Sequence, residues 1–354
     1  MIKNNEGIAY KNEKRLKRKT EFDILDSAIG CLLFIFLEIL FLSIYKKLPI
    51  GIISNGVVLV FAQIIIEGLF FLNVILTSNF KNVEWVEATN IRKKITLKNA
   101  LYAVIITCIT MICFAPLSNL FIYAVQSIGF KYYSSYIDVS SFLMYIVALF
   151  VHCAVPAFTE EILFRGMVCN GLKKVNTHLA VILSALMFSL MHGTPLQTIH
   201  QFVIGIVLGY VFIKSSNLWI PILIHFLNNS ISITAMFIQT MMNPELKNLK
   251  SQLVKFEPVP NNVLLMNILY TVLMLAIGVF LIVIILKKMT KDNKLKELEV
   301  QECGVQNNQK NENLQNLDVF QNKKKNIVAI IGFVLAGFYL VFEWVVALLK
   351  GMLL

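Results

Sequence analysis

A short cluster of charged residues lies inside an apolar segment of the chain. Glu160, Glu161 and Arg165 fall within six residues. On a helix, Glu161 and Arg165 are i, i+4 neighbours in the favourable order, so they can pair and lower each other's cost of burial. Glu160 points about 100° away and has no such partner in its own helix. Placing a charged group at a bilayer centre costs about 2.5–3.5 kcal/mol. An acid kept there is a candidate general base.

Two histidines and an amide follow on later apolar segments. His192 closes an F-x-x-x-H pattern, and His225 and Asn229 share one helix face. At a rise of about 1.5 Å per residue, Glu160 and His192 lie about 20 Å, and His225 about 17 Å, from the predicted inner ends of their segments. All three therefore sit near the middle of a hydrocarbon core about 30 Å thick. Unrelated packing residues need not agree in depth, whereas the residues of an active site must.

The segments that carry these residues are predicted to lie in a membrane. The 354 residues are 57% hydrophobic and 15% charged, and the mean hydropathy is +0.71, whereas soluble domains are about 45–50% apolar and about 25% charged. A transmembrane helix needs about 20 apolar residues. Nine stretches approach this pattern, the fifth being short enough to be re-entrant: 24–45, 50–78, 99–127, 139–172, 179–192, 197–213, 218–240, 262–286 and 327–349. We therefore predict an all-α, polytopic transmembrane helix bundle of about eight or nine spans.

The positive charges predict the orientation of this bundle. The net charge is +11. With the N-terminus in the cytoplasm, the inner segments carry 24 of the 32 Lys and Arg residues and the outer segments carry seven, as the positive-inside rule expects. Orientation accounts for the charge, so no nucleic-acid partner is needed. The six cysteines include no C-x-x-C pair, which argues against a disulfide framework or a thiolate zinc site.

Composition divides the chain into six predicted parts. They are a basic cytoplasmic N-terminus (1–23), N-terminal transmembrane helices (24–127), a core with the candidate site (139–240), a transmembrane helix (262–286), a polar cytoplasmic linker (287–326) and a C-terminal transmembrane helix (327–349). Glu38, Glu67 and Glu343 are further acids in apolar stretches, outside the core. They could interact with one another, with lipid headgroups or with water. His152 lies two turns before Glu160 and could support it.

Familiar catalytic and nucleotide-binding motifs are missing from the sequence. It contains no H-E-x-x-H, no G-x-S-x-G elbow, no pair of intramembrane aspartates and no Walker A sequence. What is left is an acid, two histidines and an amide, which can activate water. Two other classes of function stay open. One is an ion-coupled transporter with midplane proton carriers, although matched inverted repeats are not seen. The other is a non-catalytic membrane scaffold or immunity protein.

The three motifs together resemble those of the CPBP intramembrane protease family, the type II CAAX prenyl endopeptidases and the bacteriocin-processing or immunity (Abi-like) enzymes. The family pattern is E-E-x-x-x-R, then F-x-x-x-H, then H-x-x-x-N or D. This chain carries it at 160–165, 188–192 and 225–229. The resemblance covers about residues 140–235. It implies an α-helical intramembrane endopeptidase that hydrolyses a membrane-associated peptide or protein at a site opening toward the cytoplasm.

The resemblance also implies roles for single residues. Glu160 would activate water, and His192 would share that water. His225 and Asn229 would polarise the scissile carbonyl and stabilise the oxyanion. A prenylated tail or a bacteriocin leader would be a suitable substrate. The Lys-, Ile- and Asn-rich composition favours a bacterial plasma-membrane protein with a peptide-processing or immunity role, and leaves the oligomeric state open.

The cofactor stays open between two alternatives. Glu160, His192 and His225 could supply three zinc ligands with a fourth position open for water, as the first description of the family as metalloproteases implies. A metal-free glutamate mechanism is slightly preferred, because an H-x-x-x-H set is missing. Under either alternative, Glu161 and Arg165 would hold the first helix of the core in place.

Overall fold

The computed structural model describes residues 18–53, 56–133, 137–243, 253–254, 256–303 and 318–354. Nine apolar helices account for most of these residues and are numbered in chain order. They are α1 (Ile24–Tyr45), α2 (Gly56–Lys81), α3 (Leu97–Ser127), α4 (Phe142–Leu172), α5 (Thr177–Leu190), α6 (Pro195–Ser215), α7 (Trp219–Met242), α8 (Asn261–Cys303) and α9 (Asp318–Leu353). The described residues also include two one-turn helices, Ile50–Ile53 and Trp85–Ala88, and an antiparallel strand pair, Tyr132–Tyr133 with Leu253–Val254.

Eight of these helices are long and apolar enough to cross a membrane. The exception is α5, whose 14 residues span about 21 Å, less than a hydrocarbon core of about 30 Å. The prediction of an all-α polytopic bundle of eight or nine spans is therefore confirmed. The protein is a multi-pass α-helical membrane protein.

The start of α1 agrees with the sequence prediction because a local capping box determines it. Asp23 accepts a hydrogen bond from the backbone N–H of Asp26 at 2.9 Å, and the Asp26 carboxylate accepts one from the backbone N–H of Asp23 at 3.0 Å. Such reciprocal bonds satisfy two backbone donors that a helix start leaves without partners. Residues 1–17 of the predicted N-terminal part lie outside the described residues.

Helix α8 runs beyond the end predicted for it. It continues through 287–303, the first part of the predicted polar linker, and α9 begins at Asp318. Lys, Leu and Glu are frequent in 287–303, and all three have good helix propensity, so loss of hydropathy does not end the helix. Residues 304–317 lie outside the described residues. The cytoplasmic location of this linker stays a prediction.

Helix α4 lies at the centre of the packing and contacts α1, α2, α5, α6 and α7. It is not a uniform α-helix. Phe150–Ala154 and Ile162–Cys169 are π-helical and flank the α-helical stretch Val155–Glu161. Pro156, near the start of that stretch, lacks a backbone N–H and so weakens the regular bonding just before it. Wide π turns are frequent at functional sites, and here they bracket the predicted acid doublet.

Helices α5 and α6 pack closely because α6 carries a glycine at the contact. A Cβ added at Gly205 would lie 2.9 Å from the Cβ of Ala185 in α5. Small residues allow helix backbones in membranes to approach in this way. The same close approach leaves the Gly205 carbonyl oxygen within 3.3 Å of Nη2 of Arg165 in α4. The packing thereby supplies a partner for a buried guanidinium group.

Candidate active site

A polar cavity of about 670 Å³ lies within the helix bundle. Side chains from α1, α2, α3, α4, α6 and α7, and from the end of α5 and the turn after it, line this cavity. Its titratable side chains are Glu38, Glu67, His152, Glu160, His192, His200 and His225. The four side chains predicted as catalytic, at 160, 192, 225 and 229, all line it. Tertiary packing therefore assembles in one place the residues that the motifs singled out.

Glu160 presents an unsatisfied carboxyl oxygen in this cavity. The residue is only 7% exposed, and its Oε2 has no hydrogen-bond partner among the described residues. The nearest basic atom is Nε2 of His225 at 3.8 Å. That separation is too long for a direct hydrogen bond. A water molecule can bridge two polar groups separated in this way. Glu160 is therefore placed to hold and polarise a water molecule or a substrate group.

Glu161 and Arg165 form the predicted i, i+4 pair directly after Glu160 in α4. Nη1 of Arg165 donates to Oε1 of Glu161 at 2.6 Å, and both side chains are fully buried. Oε1 of Glu161 also lies 3.0 Å from Nδ1 of His225. A carboxylate can only accept, so Nδ1 carries the hydrogen of this bond. The bond fixes the imidazole and leaves Nε2 directed toward Glu160.

Phe188 explains the first residue of the F-x-x-x-H pattern. The guanidinium carbon of Arg165 lies 4.5 Å from the centre of the Phe188 ring, within the range of a cation–π contact. The ring also makes edge contacts with His192 and His225, with centroids 5.0 Å and 5.8 Å away. Phe188 therefore packs between the buried cation and both histidines and fixes their spacing.

His192 lies in the turn after α5 rather than within the helix, because α5 ends at Leu190. Its Nδ1 is 2.8 Å from the carbonyl oxygen of Phe188. A carbonyl oxygen accepts, so Nδ1 is the donor and Nε2 is left as an acceptor in the neutral ring. Gly193 follows with φ of +60°, a conformation that glycine adopts at little cost. Pro195 then begins α6 at a position where a missing N–H is tolerated.

The two asparagines of α7 differ in their partners. Asn229 donates from Nδ2 to the carbonyl oxygen of His152 at 3.2 Å and accepts at Oδ1 from Asn228 at 3.3 Å. Asn228 is 4% exposed, contacts Nε2 of His200 at 3.4 Å, and has no partner for its own Oδ1 among the described residues. The sequence prediction selected Asn229 alone. The structure adds Asn228 and His200 to the polar lining.

Glu67 of α2 also lines the cavity, and the sequence motifs did not select it. It is 2% exposed and accepts from Oγ1 of Thr159 at 2.7 Å and from Nε2 of Gln63 at 2.9 Å. Thr159 directly precedes Glu160, so two carboxyl groups from different helices face one cavity. The sequence did offer one signal, because a charged residue in an apolar span is costly. Glu67 is far along the chain from 139–240, however, so the sequence did not show that it lies in the same cavity.

The side chains proposed as a zinc set do not form one in this structure. Among the residues that the structure describes, no group of three His, Cys, Asp or Glu side chains has the spacing of metal ligands. Nδ1 of His225 is bonded to Glu161, and Nδ1 of His192 to a backbone carbonyl, so each ring keeps Nε2 as its available ligand atom. Because the three side chains lack the spacing of metal ligands in this structure, they do not fit a three-ligand zinc site.

The fold and cavity define a multi-pass membrane protein with a buried acid–histidine site, and the family comparison agrees with this class. Residues 141–231 match the family model described as Type II CAAX prenyl endopeptidase Rce1-like. The matched segment is about a quarter of the chain and holds all three motifs. The resemblance predicted from the sequence is thereby confirmed for this segment. Comparisons with curated proteins and with solved structures gave no match.

Proposed function

We propose that this protein is an intramembrane endopeptidase that hydrolyses a peptide bond of a membrane-associated peptide or protein. The observation that carries the proposal is the unpaired Oε2 of buried Glu160, which lies 3.8 Å from Nε2 of His225 in a polar cavity. An acid and a histidine at this separation can hold one water molecule between them. The family match over 141–231 supports the same class of reaction.

In the proposed reaction, Glu160 removes a proton from water as the water oxygen attacks the scissile carbonyl carbon. A carbon–oxygen bond forms, and the carbonyl oxygen becomes an oxyanion. His192 accepts a hydrogen bond from the same water through Nε2. The carbon–nitrogen bond then breaks, and Glu160 returns its proton to the leaving amine. General acid–base catalysis of this kind contributes about 10²–10⁴-fold in rate.

Oxyanion stabilisation is assigned to α7. Nε2 of His225 faces Glu160 and is assigned to the developing oxyanion, while Glu161 keeps the ring in place through Nδ1. Asn229 can contribute once its Nδ2 exchanges the carbonyl of His152 for the substrate oxyanion. Donors that are placed before the reaction give the largest electrostatic benefit. The Glu161–Arg165 pair is therefore assigned a positioning role.

The proposed substrate is a short peptide attached to the membrane, such as a lipidated tail or a hydrophobic leader. The buried site requires the scissile bond to enter from the bilayer or its surface. The proposal places the protein in a bacterial plasma membrane with its N-terminus in the cytoplasm. It also includes a role in peptide processing or immunity.

The proposal predicts that the purified protein in proteoliposomes cleaves a membrane-anchored peptide at a defined bond. In heavy-oxygen water, mass spectrometry should find one labelled oxygen in the new carboxyl terminus, because water is the nucleophile. His192→Ala should reduce cleavage strongly. The matched His178→Ala should not, since His178 lies outside the cavity and bonds Tyr210 at 2.7 Å. Failure to cleave lipidated-tail and leader peptides alike would reject the proposal, as would equal loss of activity in both histidine variants.

We further predict that this activity survives exhaustive chelation. The described donors do not form the three-ligand set of a catalytic zinc site, so removing trace metal should leave the cleavage rate unchanged. The measurement is peptide cleavage before and after chelation, with zinc counted on the purified protein. Stoichiometric zinc together with loss of activity on its removal would overturn the metal-free mechanism while leaving the endopeptidase assignment intact.

A further inference from the structure

A second cavity of about 880 Å³ lies between α3, α6 and α8. Its walls are mostly apolar and include Phe114 of α3, Val207 of α6, and Leu275, Val279 and Leu286 of α8. It shares no lining residue with the polar cavity around Glu160. The two cavities therefore have different chemistry and can be tested separately.

One end of this second cavity is strongly basic. Lys214 lies in the last turn of α6, and Lys287 and Lys291 lie one helical turn apart on α8. Among the residues that the structure describes, the lining of this cavity includes no acidic side chain. The neighbouring Asp292 already accepts from Lys98 and from Tyr102, each at 2.7 Å. Three positive charges therefore meet at the mouth of an apolar groove.

The length of the groove matches one leaflet of a bilayer. From Leu275 to Leu286, α8 rises about 16 Å, and half of a hydrocarbon core about 30 Å thick is about 15 Å. The lysines begin directly after this apolar stretch, at the depth where a phosphate group would lie. An acyl chain along the groove would therefore place an anionic headgroup among Lys214, Lys287 and Lys291.

We propose that this cavity is a specific binding site for an anionic glycerophospholipid. The apolar walls receive an acyl chain, and the three lysines bind the phosphate and the net negative charge of the headgroup. Basic pockets between transmembrane helices recognise anionic headgroups in this way. A zwitterionic lipid offers the same chains, but its ammonium group adds a positive charge where the groove already holds three. The site therefore selects by headgroup charge.

The test uses the full-length protein purified in detergent and titrated with phosphatidylglycerol or phosphatidylcholine of identical acyl chains, with bound lipid counted by native mass spectrometry. Phosphatidylglycerol should bind more tightly than phosphatidylcholine. Lys287→Gln with Lys291→Gln should weaken phosphatidylglycerol binding by roughly fivefold for each lysine removed. The matched control, Lys93→Gln with Lys94→Gln, removes the same charge outside the cavity and should leave the affinity unchanged.

A second pair of variants tests the apolar part of the groove without changing charge. Val279→Trp should fill the groove and abolish tight phosphatidylglycerol binding. Val334→Trp replaces an equally exposed valine, 54% in both cases, that does not line the cavity, and binding should be retained. Equal affinity for both lipids, or equal affinity in the lysine pair and its control, would overturn the proposal and leave only ordinary lipid contact. Unchanged binding in Val279→Trp would place the lipid elsewhere and would also overturn it.

Discussion

Replacing Glu160 by glutamine is expected to abolish peptide hydrolysis while the protein still folds. Glutamine has nearly the same shape but cannot take a proton from water at Oε2, the atom that faces the cavity without a partner. Loss of a general base lowers rates by about 10²–10⁴-fold. The measurement is the rate of cleavage of a membrane-anchored peptide in proteoliposomes, with gel filtration and thermal unfolding as checks of folding.

Glu38→Gln is the matched control for this variant. Glu38 is also an acid that lines the cavity, so the substitution makes the same chemical change in the same space, but no contact of Glu38 with Glu160 or His225 is seen among the described residues. Its activity should stay close to that of the wild type. Full activity in Glu160→Gln would reject Glu160 as the base. Equal loss in both variants would show that cavity charge, rather than one carboxyl group, matters.

Replacing Arg165 by methionine is expected to remove most of the folded protein. Arg165 is fully buried, donates to Glu161 at 2.6 Å and to the Gly205 carbonyl at 3.3 Å, and covers the Phe188 ring. Methionine fills part of the volume but leaves the buried Glu161 carboxylate without its guanidinium partner, with only the Nδ1–H of His225 to bond it. Breaking one side of a buried ion pair costs about 3–5 kcal/mol, a large part of a total stability of about 5–15 kcal/mol. The measurement is the yield and thermal midpoint of the purified protein.

An exposed ion pair and a double variant control for this effect. Arg92→Met breaks the pair with Glu87, whose partners are 57% and 42% exposed, and should cost at most about 1 kcal/mol. Adding Glu161→Gln to Arg165→Met removes the stranded charge, so part of the lost stability should return. Wild-type stability in Arg165→Met, or no recovery in the double variant, would contradict the role assigned to this pair.

Local features of the sequence were sufficient for much of the fold. The bounds predicted for α1 match those of the structure. The apolar run sets the length of the helix, and the capping residue Asp23 sets its first turn. The fifth stretch was short enough to predict a possible re-entrant helix, and α5 has only 14 residues. The end of α8 could not be found in this way, because hydropathy falls after 286 whereas helical hydrogen bonding continues to Cys303.

Two features of the candidate site show the limit of motif reasoning. The i, i+4 spacing predicts the Glu161–Arg165 pair, since both residues lie on one helix. The same spacing places His225 and Asn229 on one face, but it does not reveal that the Asn229 amide is bonded to the backbone of α4. Motif spacing specifies which side chains share a helix face, and not which partners they meet across the bundle.

The sequence by itself determined the class of this protein, because hydropathy, charge asymmetry and helical spacing are local properties that need no knowledge of packing. It also selected Glu160, His192 and His225 as a group. Only the tertiary structure decided that Glu67 joins that group through Thr159, and that Glu161 orients His225. These contacts join residues 92 and 64 positions apart. They depend on how whole helices pack, which no local pattern specifies.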